Sequence, residues 1–236
     1  MTRLFPAVAM LVTAFIATGC DRTETSSAKV GADAARNRDN ALVRVVHAVP
    51  SGTTFDLFAG DLLLFDGLGF KAVTPYRAVD GKRYAFALRP AGMTQAKPLS
   101  SNTEDLKDGG FYTAIAMPGD GHGPNLRVVN DHLDSPASGK ARLRVVHAGT
   151  DAGRIDVRSD AATVLFEGLE YQSVSDYRDV APINGQVQIV GAGQSALIAT
   201  TTGQLEAGRF YTLVIVSNAA APNKVEAFLI EDALSP

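Results

Sequence analysis

The chain is poor in the residues that most catalytic and metal chemistry requires. It has one cysteine, Cys20, so no intramolecular disulfide and no thiolate metal cluster can form. A formal net charge of −3 and the lack of any run of Lys or Arg remove the electrostatic footprint of a nucleic-acid binder, and no nucleic-acid partner is expected. No G-x-S-x-G elbow occurs; "GAGQSA" at 191–196 lacks its spacing. Beyond the N-terminal segment, no stretch keeps an apolar period of 3.6 residues, which excludes a helical architecture. What remains, 236 residues with 46% apolar and 20% charged, is enough for one large or two small globular units.

The position of the lone cysteine is informative. Arg3 is followed by an apolar run, Leu4–Thr18, then small residues and Cys20. A run of about 15 residues has the length of a signal h-region and is short for a membrane span. Ala17-Thr18-Gly19-Cys20 resembles the lipobox of a bacterial lipoprotein signal peptide, with alanine at Ala17 where leucine is commoner. That resemblance implies removal of residues 1–19 and lipidation of Cys20, so that the partner of the N-terminus is the membrane. Asp21 then implies retention at the inner membrane, as in enterobacterial lipoproteins. Residues 20–40 are polar and without period beyond the cysteine, and read as a flexible tether.

The rest of the chain is a duplication. "VRVVHA" at 43 returns as "LRVVHA" at 143, "FDLF" at 55 as "IDVR" at 155, and "LLFDGLGF" at 63 as "VLFEGLEY" at 164. "TPYRAV" at 74 returns as "SDYRDV" at 175, "LKDGGFYTAIA" at 106 as "LEAGRFYTLVI" at 205, and "VVND" at 128 as "LIED" at 229. These are two copies of about 95 residues, 41–134 and 141–236, joined by "SPASGK" at 135–140. Each copy is long enough to bury its own core, unlike a solenoid repeat.

Within each copy, short β-branched or aromatic runs are punctuated by Gly, Pro, Asp and Asn every 8 to 12 residues. The expected fold is all-β: two tandem immunoglobulin-like or fibronectin-like antiparallel β-sandwich domains of six to eight strands each. Leu106-x-x-Gly109-x-x-Tyr112 and Leu205-x-x-Gly208-x-x-Tyr211 precede apolar strands and read as tyrosine corners. "FYTAIAM" and "FYTLVIV" are apolar on both alternating sets, where a sandwich strand normally keeps one wet face. The two copies are therefore expected to pack against each other through these strands.

The RVVHA-type opening, an Asp-Val about nine residues on, the F-x-G-L-x-Y turn and the L-x-x-G-x-x-Y-T strand together resemble the family called domain of unknown function (DUF) 4397. The second copy carries all four; the first has Phe70 where the second has Tyr171. The resemblance covers 41–236. It implies β-rich envelope domains, often on lipoproteins, and no established activity.

Candidate site residues are few. On a strand, Leu143, Val145 and His147 share one face and Arg144, Val146 and Ala148 the other, as do their counterparts around His47. The histidine set excludes the arginine and is the expected core face, with each imidazole at a strand end, packed inward and bonded to a loop carbonyl. Asp56 and Asp156, nine residues further on, fall on the face opposite their apolar neighbours, which argues against a His–Asp pairing. "GDGHG" at 119–123 and "NDHLD" at 130–134 gather oxygen and imidazole ligands without a known metal spacing, and the second copy lacks the histidines. Tyr76-Arg77 and Tyr177-Arg178 recur as aromatic-guanidinium pairs, suited to an interface or to a strand's core residue and its neighbour. Catalytic, metal and cofactor sites are expected to be absent and the ligand is left open. The expected protein is a non-catalytic, lipid-anchored cell-envelope module that binds or spaces, with a protein or polysaccharide partner. The alternatives are a periplasmic subunit of a membrane complex and, less favoured, an envelope-processing hydrolase.

Overall fold

A computed structural model describes residues 39–232 apart from 51, 122, 161, 162 and 222. The signal-peptide reading, Cys20 and nearly all of the tether lie outside the described residues, as does His122. Among the described residues every regular element is a strand.

The first copy contributes β1 (Ala41–His47), β2 (Phe55–Ala59), β3 (Leu62–Leu68), β4 (Arg77–Val79), β5 (Arg83–Pro90), β6 (Ser100–Asp105), β7 (Phe111–Pro118) and β8 (Pro124–Asn130). The second contributes β9 (Ala141–Ala148), β10 (Ile155–Arg158), β11 (Val164–Leu169), β12 (Arg178–Val180), β13 (Ile183–Gly191), β14 (Leu197–Leu205), β15 (Phe210–Ser217) and β16 (Val225–Glu231). Each copy folds into two four-stranded sheets, β4-β1-β7-β8 with β3-β2-β5-β6, and β12-β9-β15-β16 with β11-β10-β13-β14. These are the two expected sandwiches. One pair in each departs from antiparallel: β1 runs parallel to β7, and β9 to β15, with Arg44 opposite Thr113 and Arg144 opposite Thr212. The partners of a parallel pair are far apart in sequence because the chain must cross over between them; here β2 to β6 intervene.

Three apolar clusters separate four layers. Val43, Val45, Phe55, Leu57, Phe86 and Leu88 fill the first sandwich, and Leu143, Val145, Ile155, Val157, Val187 and Ile189 the second. The third cluster lies between the copies: Val46, Ala48, Ile115 and Met117 meet Val146, Ala148, Val214 and Val216. The sheets containing β1 and β9 are thus inner layers packed back to back, and the other two are outer layers. This accounts for strands apolar on both faces, one face for each cluster.

Local signals pin the sandwiches. The hydroxyl of Tyr112 accepts the Lys107 N–H and that of Tyr211 the Glu206 N–H, both at 3.0 Å, which closes the two tyrosine corners. The F-x-G-L turns are β-bulges: Phe55 pairs with Leu68 and Leu57 with Phe65, so Asp66 and Gly67 together oppose Asp56. Gly67 and Gly168 take φ of 61° and 62°, the left-handed region that a glycine enters without a Cβ penalty.

Candidate functional site

The face of β1 and β9 that carries the arginines does not meet water. Arg44 and Arg144 are each 2% exposed, among the largest fully buried side chains of the protein. Their partners come from both copies. The Arg144 guanidinium pairs with Asp131 at 2.6 Å through Nη1, and donates from Nε to Thr212 at 2.8 Å and from Nη2 to Thr113 at 3.1 Å. Arg44 mirrors it, pairing with Asp232 and donating from Nε to Thr113 at 3.0 Å. Each aspartate also accepts from its own copy: Asp131 from Tyr76 at 2.7 Å and Thr113 at 2.6 Å, Asp232 from Tyr177 at 2.6 Å and Thr212 at 2.7 Å. Each arginine lies over the tyrosine ring of its own copy, 5.0 Å from Tyr76 for Arg44 and 4.8 Å from Tyr177 for Arg144. The result is a dry cluster of two cations and two anions in which each arginine reaches across to the other copy's aspartate.

Electrostatics in the cluster favours the charged forms of the ions. Burial opposes the Arg44 charge, but Tyr76, Asp232 and Asp131 more than offset it, and its pKa lies well above the ordinary arginine value. Arg144 is raised in the same way. Burial pushes the Asp232 carboxyl up, while Arg44 and Arg144 pull it further down, leaving it below the usual carboxylate value. Burial, with the neighbouring carboxylates, holds the Tyr76 and Tyr177 phenols well above theirs. The cluster is buried on all but one edge, where Arg144 and Tyr177 reach the wall of a groove. Above it, a groove of about 270 Å³ is lined by Arg127, His132, Arg144, Ser175, Asp176 and Tyr177.

The histidines sit where strand parity places them, against the sandwich cores. His147 donates from Nε2 to the Gly153 carbonyl at 2.7 Å and accepts the Gly149 N–H at Nδ1, a neutral imidazole with both nitrogens engaged. His47 accepts the Val49 N–H at Nδ1 and stacks on Phe55, ring centroids 4.8 Å apart. Burial lowers the pKa of both below 6.5, against backbone hydrogen bonds at Thr53 and Gly153 that favour the proton. With decreasing pH the unfolded chain therefore takes up these protons first. Stability should be full above about pH 6.5 and decline as the pH falls below it. Urea unfolding at about pH 7.5 and about pH 5 measures this; a variant with both histidines changed to asparagine should show a smaller difference between the two midpoints.

Asp56 and Asp156 serve the turns. Asp56 accepts the N–H of Gly67 at 2.8 Å and of Gly92 at 2.9 Å; Asp156 accepts those of Gly168 at 2.8 Å and Gly193 at 3.0 Å. Each carboxylate ties the bulge of one hairpin to the loop after the neighbouring strand, and none faces a histidine. The Tyr-Arg pairs divide their work. The tyrosines enter the inter-copy cluster, whereas Arg77 and Arg178 lie over Phe65 and Phe166, 4.8 Å and 5.0 Å from the ring centroids. In the two polar loops, Asp120 accepts from Gln172 at 2.9 Å and Asp131 is committed to the buried cluster. Among the described residues no three or more His, Cys, Asp or Glu side chains converge as a metal site would require.

Further contacts join the copies. The Tyr171 hydroxyl donates to the Pro118 carbonyl at 2.7 Å, and Gln172 accepts from Asn125 at 2.9 Å. At the related position Lys71 pairs with Glu226 at 2.7 Å. Lys71 and Gln172 hold φ of 65° and 62°, and each donates its N–H to the carbonyl of its copy's strand-end histidine.

The model of one protein family, described as a domain of unknown function (DUF4397), matches residues 41–158 and 151–236, and so spans both copies. The chain belongs to this family. No curated protein matches it. In this DUF4397 chain every recurring motif has a structural place. The arginine of the RVVHA strand crosses to the other copy, its histidine seals the strand end, the aspartate caps the bulge glycine, and the Tyr-Thr strand supplies both the corner and the threonine of the cluster.

Strand parity finds the histidines and the outward aspartates. It leaves the arginines on the face away from the sandwich core, and that face is the inter-copy interface. The repetition of Arg, Tyr, Thr and a terminal Asp in both copies was the available signal; what it lacked was the knowledge that the residues of one copy meet those of the other.

Proposed function

We propose that the chain is a non-catalytic, lipid-anchored protein of the cell envelope that presents a stiff double sandwich as a binding or spacing module. The observation that carries this reading is the commitment of the recurring polar side chains to loops, corners and the inter-copy cluster, which leaves no convergent acid, base and nucleophile among them. Anchoring rests on the lipobox-like segment ending at Cys20, on the periplasmic side of the inner membrane as Asp21 suggests. Acyl chains hold by about 0.8 kcal/mol for each buried methylene.

The surface left for a partner is the outer sheets and loops. On the second copy, Gln186 pairs with Thr202 and Gln188 with Thr200, in a row of amides and hydroxyls directed away from Val187 and Ile189. Uncharged donors and acceptors of this kind suit an envelope protein or a polysaccharide and offer nothing to a polyphosphate.

Two measurements test the proposal. Changing Cys20 to Ser should release the protein into the soluble fraction; unchanged partitioning into detergent would remove the anchor. Proximity labelling from the anchored protein should enrich envelope partners, and the enrichment should fall when Gln186, Gln188, Thr200 and Thr202 are changed to Ala. A hydrolytic activity lost on substitution of His47 or His147, with folding intact, would overturn the non-catalytic reading.

A further inference from the structure

The contacts between the copies come in exchanged pairs. Arg44 of the first copy meets Asp232 of the second, and Arg144 of the second meets Asp131 of the first. Lys71 meets Glu226, while Gln172 meets Asn125 at the related place. Val46 and Ile115 are matched by Val146 and Val214 in the apolar part. This is the pattern of an isologous, twofold interface, in which residue i touches j and j touches i. Each copy therefore carries a complete set, an arginine to give and an aspartate, tyrosine and threonine to receive.

We propose that this inner face also fits a second copy of the chain, so that two chains can exchange copies. The first sandwich of one chain then docks on the second sandwich of the other, and the reverse, to make a closed dimer with the same buried cluster formed twice. Nothing in the interface distinguishes a partner in the same chain from one in another. The choice is made by the connection between β8 and β9. Residues 135–140 meet the fold through the Ala137 N–H on Asp179 at 3.3 Å and the Lys140 carbonyl, which accepts the Gly208 N–H at 2.8 Å; both contacts are to the second copy. A short flexible connection gives its ends an effective concentration in the millimolar range. The single chain thus closes on itself in dilute solution, and the exchanged dimer forms when the connection cannot span the fold or when chains fold at comparable concentration.

The test uses the whole chain with Cys20 changed to Ser. Deleting Pro136–Gly139 prevents closure within one chain. The expected result is a twofold increase in mass by light scattering, with the near-ultraviolet signal of the buried tyrosines kept. A shortened chain that is native-like and monomeric overturns the proposal. If the shortened chain does not fold, the unshortened chain decides. Refolded at millimolar concentration it should give a separable dimer, absent after refolding at micromolar concentration. A monomer at both concentrations overturns the proposal.

Discussion

Changing Asp232 to alanine is expected to destabilise the protein by about 3–5 kcal/mol, the cost of stranding a buried charge without its partner. The residue lies one position beyond β16, at the end of the described chain, which is not where so large an effect is usually sought. Its carboxylate accepts from Tyr177 and Thr212 and pairs with Arg44, and it is 5% exposed. Its removal leaves a guanidinium from the other copy buried without its paired carboxylate, and Asp131 alone to balance two arginines. Denaturant unfolding should show the lowered midpoint, and tumbling by NMR should show the two halves loosened, because the lost bond joins them. Changing Arg44 to Leu alongside it removes both charges of the pair and should recover a large part of the loss, since an apolar pair in place of a buried ionic one is often close to neutral. A single variant as stable as the parent would mean that water reaches Arg44.

The second large effect is expected at Asp56. Alanine there leaves the N–H groups of Gly67 and Gly92 without their acceptor. Hydrogen bonds to a charged group contribute about 1.5–3 kcal/mol each, so a loss of about 3 kcal/mol is expected. Asparagine is the more telling change. It keeps one oxygen acceptor but turns an N–H2 donor toward the other glycine N–H, so it should restore only part of the stability. Asp156 holds Gly168 and Gly193 in the same way and should respond alike. Thermal unfolding of the four variants measures this. A catalytic carboxylate would show the opposite pattern, with activity lost and stability kept.

The sandwich class, the duplication and the tyrosine corners were legible because they depend on local pattern. A Leu-x-x-Gly-x-x-Tyr run before an apolar strand specifies its own closure. The pairing of β1 with β7 was not legible, since nothing near Val43 indicates that its neighbour will be Tyr112 and that both strands run the same way. The inter-copy cluster was half legible. The doubly apolar strand at 111–117 announced a covered second face, but an arginine within an apolar strand reads as a solvent-facing residue until its counter-ion in the other copy is known, and for Arg44 that is Asp232, 188 positions away.

The four-layer arrangement also leaves a record in the way the two copies have diverged. The paired central strands of the inner sheets have no free face, and they read almost alike, "VRVVHA" beside "LRVVHA" and "FYTAIAM" beside "FYTLVIV". The outer strands β5 and β6 keep one face in water, and there the copies differ: "SSNTED" of β6 stands against "LIATTTGQL" in β14, and "RYAFALRP" of β5 against "INGQVQIVG" in β13. The two outer sheets are therefore chemically different surfaces on one body, and a partner that recognises one of them has no reason to recognise the other.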